Sequence, residues 1–170
     1  MNVLRLLAML WSPAVAAAWA ADAIASNLVT VGWIERVRLG TQGVALVAKL
    51  DTGATTSSLH AIDIRWTKRD GSDWVTFDVI GSDRKKATFE HRVVRIVRIK
   101  QHSGESQRRP TVVMGVCLGN VYALTEVNLA DRGSFNYEFL LGRRFLAKRF
   151  AVDSERTYTV KPSCPETRAR

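Results

Sequence analysis

The sequence predicts an all-β domain closed into a barrel, with one short helix near its C-terminal end. Three observations carry this. Runs that alternate apolar and polar residues recur along the chain, from Val29–Leu39 to Tyr122–Leu129. Turn-forming pairs separate them, among them Asp70-Gly71, Gly81-Ser82 and Gly119-Asn120. Only Arg143 to Phe150 has helical spacing, with Phe145 and Leu146 followed by Arg149 and Phe150. Many short strands with frequent turns leave sheet edges that closure into a barrel removes.

Taken in order, Val29 to Leu39 reads as a half-buried strand and Gly40 to Gly43 as its turn. Val44 to Leu50 is a buried strand that runs into Asp51. Aspartate and glycine are poor strand residues, so the chain leaves the sheet at Asp51-Thr52-Gly53 and displays a carboxylate on a loop pinned by threonine hydroxyls. Ser57 to Ile64 leaves that loop, and Ile62 to Trp66 alternates again. Asp-Gly at 70–71 marks a hairpin into the strand Trp74–Ile80. Ala87 to Ile99 reads as one long strand, and residues 65–90 as an added hairpin. Residues 93–115 form a two-stranded ribbon with a polar tip at Gln101–Gln107. Tyr137 to Leu141 is a strand ending at Gly142, followed by the short helix. Phe150–Asp153 and Thr157–Val160 close the domain.

On its own, Asp-Thr-Gly also fits a turn in which Asp51 only caps backbone N–H groups. Its context says more. An apolar strand precedes it, the hydroxyl run Thr55-Thr56-Ser57-Ser58 follows, and Phe139-Leu140-Leu141-Gly142-Arg143-Arg144-Phe145-Leu146 lies near the C-terminal end. Together these resemble the retropepsin-like aspartic peptidases. More closely, Lys49–Ala61 and Leu140–Asp153 resemble the bacterial group associated with RimK-type ligases and labelled "ATP-dependent zinc proteases".

The resemblance implies a closed retropepsin-like β-barrel that works as a symmetric homodimer. Aspartic-peptidase chemistry needs two carboxylates sharing a proton around a water. One acts as base on the water and the other donates to the substrate carbonyl. This chain has a single Asp-Thr-Gly, so Asp51 from each of two copies must meet on a two-fold axis. The resemblance further implies that Thr52, Gly53 and Ala54 shape the active-site loop, with Leu140, Leu141 and Gly142 packed beneath it. The ribbon tip would be a flap, whose candidate substrate contacts are His102, Ser103, Gly104, Glu105, Arg108 and Arg109; a solvated hairpin end is the competing reading of these. Arg143 would hold an acidic substrate side chain or stabilise the dimer. The same groove without turnover would be a non-catalytic peptide-binding module.

With 170 residues the chain fits one domain, and its net charge of +9 suits an acidic peptide as substrate. No nucleic-acid-binding signature accompanies the charge, and nucleic acid is not an expected partner. His60, His91 and His102 sit on separate elements, and no His-Glu-x-x-His, Cys-x-x-Cys or phosphate-binding glycine loop is present; neither a metal nor another cofactor is expected. Residues 1–20 read as a secretory signal, with Arg5 before an apolar stretch and Ala18-Trp19-Ala20 as cleavage site. Residues 21–27 would be a leader, 28–160 the domain and 161–170 a disordered tail, in a periplasmic or secreted protein without a stable membrane span. Cys117 and Cys164 are the only cysteines, and the sequence leaves open whether they pair.

Overall fold

A computed structural model describes residues 28–100 and 106–165. Eleven strands and one helical turn follow in order: β1 Val29–Leu39, β2 Val44–Asp51, β3 Ser57–His60, β4 Ile62–Arg69, β5 Ser72–Ile80, β6 Lys86–Arg92, β7 Arg95–Lys100, β8 Ser106–Leu118, β9 Val121–Ala130, β10 Phe139–Gly142, α1 Arg143–Leu146 and β11 Phe150–Thr157. The predicted signal and leader, and the ribbon-tip residues His102, Ser103, Gly104 and Glu105, lie outside the described residues.

Strands β1, β2, β10, β3, β9 and β8 pair in that order, and the ring shuts where Arg38 and Leu39 of β1 meet Cys117 and Val116 of β8. The result is the closed barrel. Phe139, Leu141, Leu46, Leu59, Leu129 and Met114 fill it, each nearly or fully buried. β11 lies parallel to the start of β1, and β7 pairs with the first half of β8 to make the ribbon.

The hairpin at 70–71 forms as predicted: Arg69 faces Ser72, and Asp70 and Gly71 both take positive φ, as a two-residue turn of the primed type requires. The added element is larger than a hairpin, however. β4, β5 and β6 form a separate three-stranded meander, stacked through Phe77 and Phe89. Phe89 also covers the Gly40 turn, where any Cβ would stand 2.9 Å from its ring. The predicted long strand 87–99 is broken at Val93-Val94. The Val93 N–H donates to Asp73 O (2.8 Å) in the meander, and the next N–H, from Val94, donates to Thr111 O (2.9 Å) in the barrel sheet. The alternation of side chains survives this handover, which is why the sequence pattern hides it.

The helix is one turn rather than two. Ala147 leaves helical geometry at ψ 134° and Lys148 takes φ +64°, releasing Phe150 into β11. The two closing strands are one, because Tyr158 turns away at φ +54°. The segment beyond is nonetheless held. Buried Glu35 accepts the Thr159 N–H (2.8 Å) and hydroxyl (2.6 Å) on Oε1, and the Val160 N–H (3.3 Å) on Oε2. Residues 161–165, grouped by composition with the tail, lie against the barrel. The Ser163 N–H donates to Gly119 O, and Cys164 is disulfide-bonded to Cys117.

Candidate active site

Asp51 ends β2, and the parallel pairing of β2 with β10 sets it level with Gly142. Its side chain turns back on its own loop. Oδ1 accepts the N–H groups of Gly53 (3.0 Å) and Ala54 (3.1 Å), and the Ala54 N–H also reaches Asp51 O (3.2 Å). Oδ2 accepts nothing from the described residues, and the residue is half-buried. Thus one oxygen fixes the carboxylate while the other remains available. Thr52 and Gly53 are exposed.

Gly142 and the first residues of α1 bond directly to this loop. The N–H of Arg143 donates to Ala54 O (2.8 Å), that of Arg144 to Thr55 O (3.1 Å), and that of Gly142 to the Ser57 hydroxyl (3.2 Å). The backbones are so close that a Cβ at Gly142 would lie 2.7 Å from Thr56 C and 2.9 Å from Thr56 O. Leu141 is fully buried below, and Leu140 is half-buried.

Arg143 acts on the loop itself. One guanidinium nitrogen donates to Thr52 O (2.9 Å) and Gly53 O (2.8 Å), and the other to the Thr55 hydroxyl (2.9 Å). The planar fork thereby caps three acceptors of the loop at once. Arg108 and Arg109 are on the ribbon strand β8. Arg108 is exposed, while Arg109 donates from Nε (2.9 Å) and from one terminal nitrogen (2.7 Å) to Gln107 Oε1.

Further side chains join the site without having been singled out. Arg95 donates to the Thr56 hydroxyl (3.0 Å) and to Glu126, and Arg144 pairs with the same Glu126 carboxylate. These partners are 18 to 39 residues apart in the chain, so no local pattern announces them. Arg132, in the loop after β9, is buried beside the site. Burial lowers its pKa first, and the positive charge of Arg109 lowers it further, while the Asp51 carboxylate opposes both. His60 positions that loop: its Nδ1 accepts the Arg132 backbone N–H (2.8 Å). A ring nitrogen that accepts carries no proton, so the 3.6 Å approach of Asp131 to Nδ1 is no ion pair. Among the described residues no three His, Cys, Asp or Glu side chains stand close enough to share a metal ion.

Other proteins share this sequence pattern and fold. A sequence model of the family described as RimB-like, retropepsin-like aspartic endopeptidase RimB, matches residues 30–163. A protein of Shewanella pealeana named as a probable alpha-L-glutamate ligase is 37% identical over 117 residues, covering 67% of this chain and 26% of its own. One of the same name from Desulfotalea psychrophila is 35% identical, with 64% of this chain and 24% of its own covered. This chain thus spans about a quarter of the length of the curated relatives it matches. A crystal structure of a Legionella pneumophila protein of unknown function superposes with a TM-score of 0.69 at 34% identity, over 78% of this chain and 98% of that one.

Proposed function

We propose, from the premise that this chain belongs to the RimB-like family of retropepsin-like aspartic endopeptidases, that it hydrolyses peptide bonds with water held between the Asp51 carboxylates of two copies. The observation that carries this is the half-engaged carboxylate. Oδ1 is fixed by two amides while Oδ2 is left for water, substrate or a second aspartate. When two such groups meet, they cannot both ionise, so one keeps a proton. The ionised one takes a proton from water as that water attacks the carbonyl carbon. The protonated one donates to the carbonyl oxygen, giving a gem-diol; as this collapses, the proton first taken from water passes to the nitrogen, the C–N bond breaks to release the amine, and a diol hydroxyl returns a proton to the second carboxylate. Arg143 and the β10 backbone hold both loops still through the reaction.

The substrate is a polypeptide in extended form, laid between the loop and the β7–β8 ribbon, and the +9 charge favours an acidic one. The signal-like residues 1–20 and the Cys117–Cys164 disulfide support an exported protein. The second reading, a peptide-binding module without turnover, draws on the relatives, in which the matched region is about a quarter of a protein named as a probable ligase.

Cleavage of a mixed peptide library by the purified protein and by Asp51→Asn, with sedimentation equilibrium on both, tests the proposal. Wild type should cleave and self-associate, and Asp51→Asn should associate without cleaving. Undiminished cleavage by the variant would sink the reading, and binding without cleavage by both would favour the second one.

A further inference from the structure

The β7–β8 ribbon leaves the barrel at one residue. β8 pairs with β9 from Thr111 to Leu118 and with β7 from Ser106 to Thr111. Thr111 therefore belongs to both, and this fully buried residue donates its hydroxyl to Asn128 Oδ1 (2.7 Å) on β9. The other edge of β7 has no strand beside it among the described residues. Arg95 stands opposite Thr111, directly after the Val93-Val94 handover. Barrel, meander and ribbon thus meet at this pair, and a two-stranded arm is weakly held beyond it.

Arg95 does not pair with the strand next to it. Its side chain spans β8 and reaches β9, where Nε donates to Glu126 Oε2 (2.9 Å). A terminal nitrogen reaches the same oxygen (2.9 Å) and donates to the Thr56 hydroxyl (3.0 Å) at the end of the Asp51 loop. Arg144 pairs with that oxygen too, and its backbone N–H donates to Thr55 O (3.1 Å). One carboxylate thus joins the root of the ribbon, the barrel sheet and the last two residues of the loop. A cross-strand pair that served only the sheet would join neighbouring strands. Stability does not account for it either. The side chains of Arg95, Glu126 and Arg144 keep 37%, 30% and 51% of their surface exposed, and ion pairs so exposed contribute little to folding. What these bonds can do is fix an angle.

We propose that Arg95 and Glu126 are positioning residues, a strut that ties the direction in which the ribbon leaves the barrel to the placement of the Asp51 loop. This rests on the peptidase reading for its place in a reaction, but the tie itself does not. An extended peptide laid against the ribbon is held at a height set by the ribbon's root. The loop that carries Asp51 is held by the same guanidinium through Thr56. The planar fork of arginine keeps two acceptors in fixed relation, which a flexible side chain would not. Peptide carbonyl and Asp51 carboxylate are thereby registered against each other, and a misplacement of about 1 Å between reacting groups can cost about a hundredfold in rate. Thr56 is also the residue whose backbone presses on Gly142, so a shift there reaches the support under the loop.

The test compares the full chain with Arg95→Gln, Glu126→Gln, Thr56→Val and Arg95→Gln combined with Thr56→Val. Amide hydrogen exchange reads the tie without any turnover. Arg95→Gln and Glu126→Gln should speed exchange by about tenfold in two places, the Arg143 and Arg144 amides that donate to the loop and the ribbon amides of Ile96 to Ile99, with those of Leu46 and Val127 in the barrel unchanged. A quenched fluorescent peptide that wild type cleaves, drawn from the mixed library, reads the consequence. Thr56→Val cuts only the link to the loop and should lower kcat by about threefold with KM unchanged, whereas Arg95→Gln also frees the ribbon and should lower kcat by about tenfold and raise KM by about threefold. The combined variant should match Arg95→Gln, because the Thr56 hydroxyl works through Arg95. Melting temperatures should barely move. Exchange that changes in the ribbon alone, cleavage by Arg95→Gln equal to wild type, or losses that multiply in the combined variant overturn the proposal. Should Arg95→Gln fail to melt cooperatively, Arg95→Lys decides, and wild-type exchange and kcat there overturn it too. Faster exchange in both places in a protein that cleaves nothing would leave the strut standing and remove the peptidase, whereas cleavage and exchange indifferent to Arg95 and Glu126 do the reverse.

Discussion

Glu35 and Asp51 are both carboxylates that accept backbone N–H groups, and they differ in what is left over. Glu35 is fully buried, and its two oxygens take the N–H groups of Gly32, Thr159 and Val160 and the Thr159 hydroxyl. Asp51 spends one oxygen on two amides of its own loop and leaves the other. The first arrangement holds a distant segment to the barrel. The second holds only itself, and stays half-exposed. A charge whose bonds are all made inside the fold works for stability; a charge held rigid but incompletely bonded is available for chemistry.

The sharpest way to test this contrast is to make the same isosteric change at both. In Asp51→Asn the amide oxygen can still accept from Gly53 and Ala54, so stability should hold within about 0.5 kcal/mol. Peptide cleavage should fall by about a thousandfold or more, since the proton-transferring group is gone. A large drop in melting temperature would show Asp51 to be structural and break the comparison.

Glu35 shares its task with the disulfide, which closes a loop of sequence separation 47 on the same C-terminal segment. Chain-entropy reasoning gives about 4 kcal/mol for such a loop. Reduction, or Cys117→Ala with Cys164→Ala, should lower the urea midpoint accordingly and leave turnover per folded molecule unchanged. Glu35→Gln should cost about 3 kcal/mol, because the new NH₂ must face an N–H donor, either Val160's or those at Oε1. Urea titration of both variants checks whether the clasp is independent of the site.

The site half of this comparison was more legible in the sequence than the clasp half. Asp51, Gly53 and the Leu140–Gly142 run are local signals: a strand that must end, a glycine that permits it, and an apolar run that stops at another glycine. Parallel pairing of β2 with β10 then brings the two together. Glu35 sits in an alternating strand and reads as one of its polar positions, because its partners lie 124 and 125 residues away. Arg132 and His60 were hidden for the same reason, 72 residues apart. The break at Val93-Val94 was hidden differently, since changing sheets alters which strand receives the N–H groups but not the order of side chains.

Gly142 tests where the two kinds of region meet, because it is both packed and under the site. Ala at this position puts a methyl against the backbone of Thr56 and the carbonyl of Ala54, neither of which is a flexible side-chain end. The loop must move to admit it. We expect a loss of about 2 kcal/mol in stability, together with about a tenfold loss in cleavage. Loss of stability alone would mean that Asp51 is positioned without help from β10.

The smallest effect isolates rigidity from packing. Arg143 is exposed and contributes no core volume, so its three bonds to Thr52, Gly53 and Thr55 act on the loop alone. Arg143→Lys keeps the charge but replaces a planar fork by one ammonium on a flexible stem. It can satisfy one or two of those acceptors and not hold all three in register. Stability should change by less than about 0.5 kcal/mol, as for other exposed substitutions. Cleavage should fall by about tenfold in kcat with KM little altered, because binding survives while the geometry of Asp51 loosens. If KM rises instead, Arg143 touches substrate directly, and the residue that braces the carboxylate also reads the peptide.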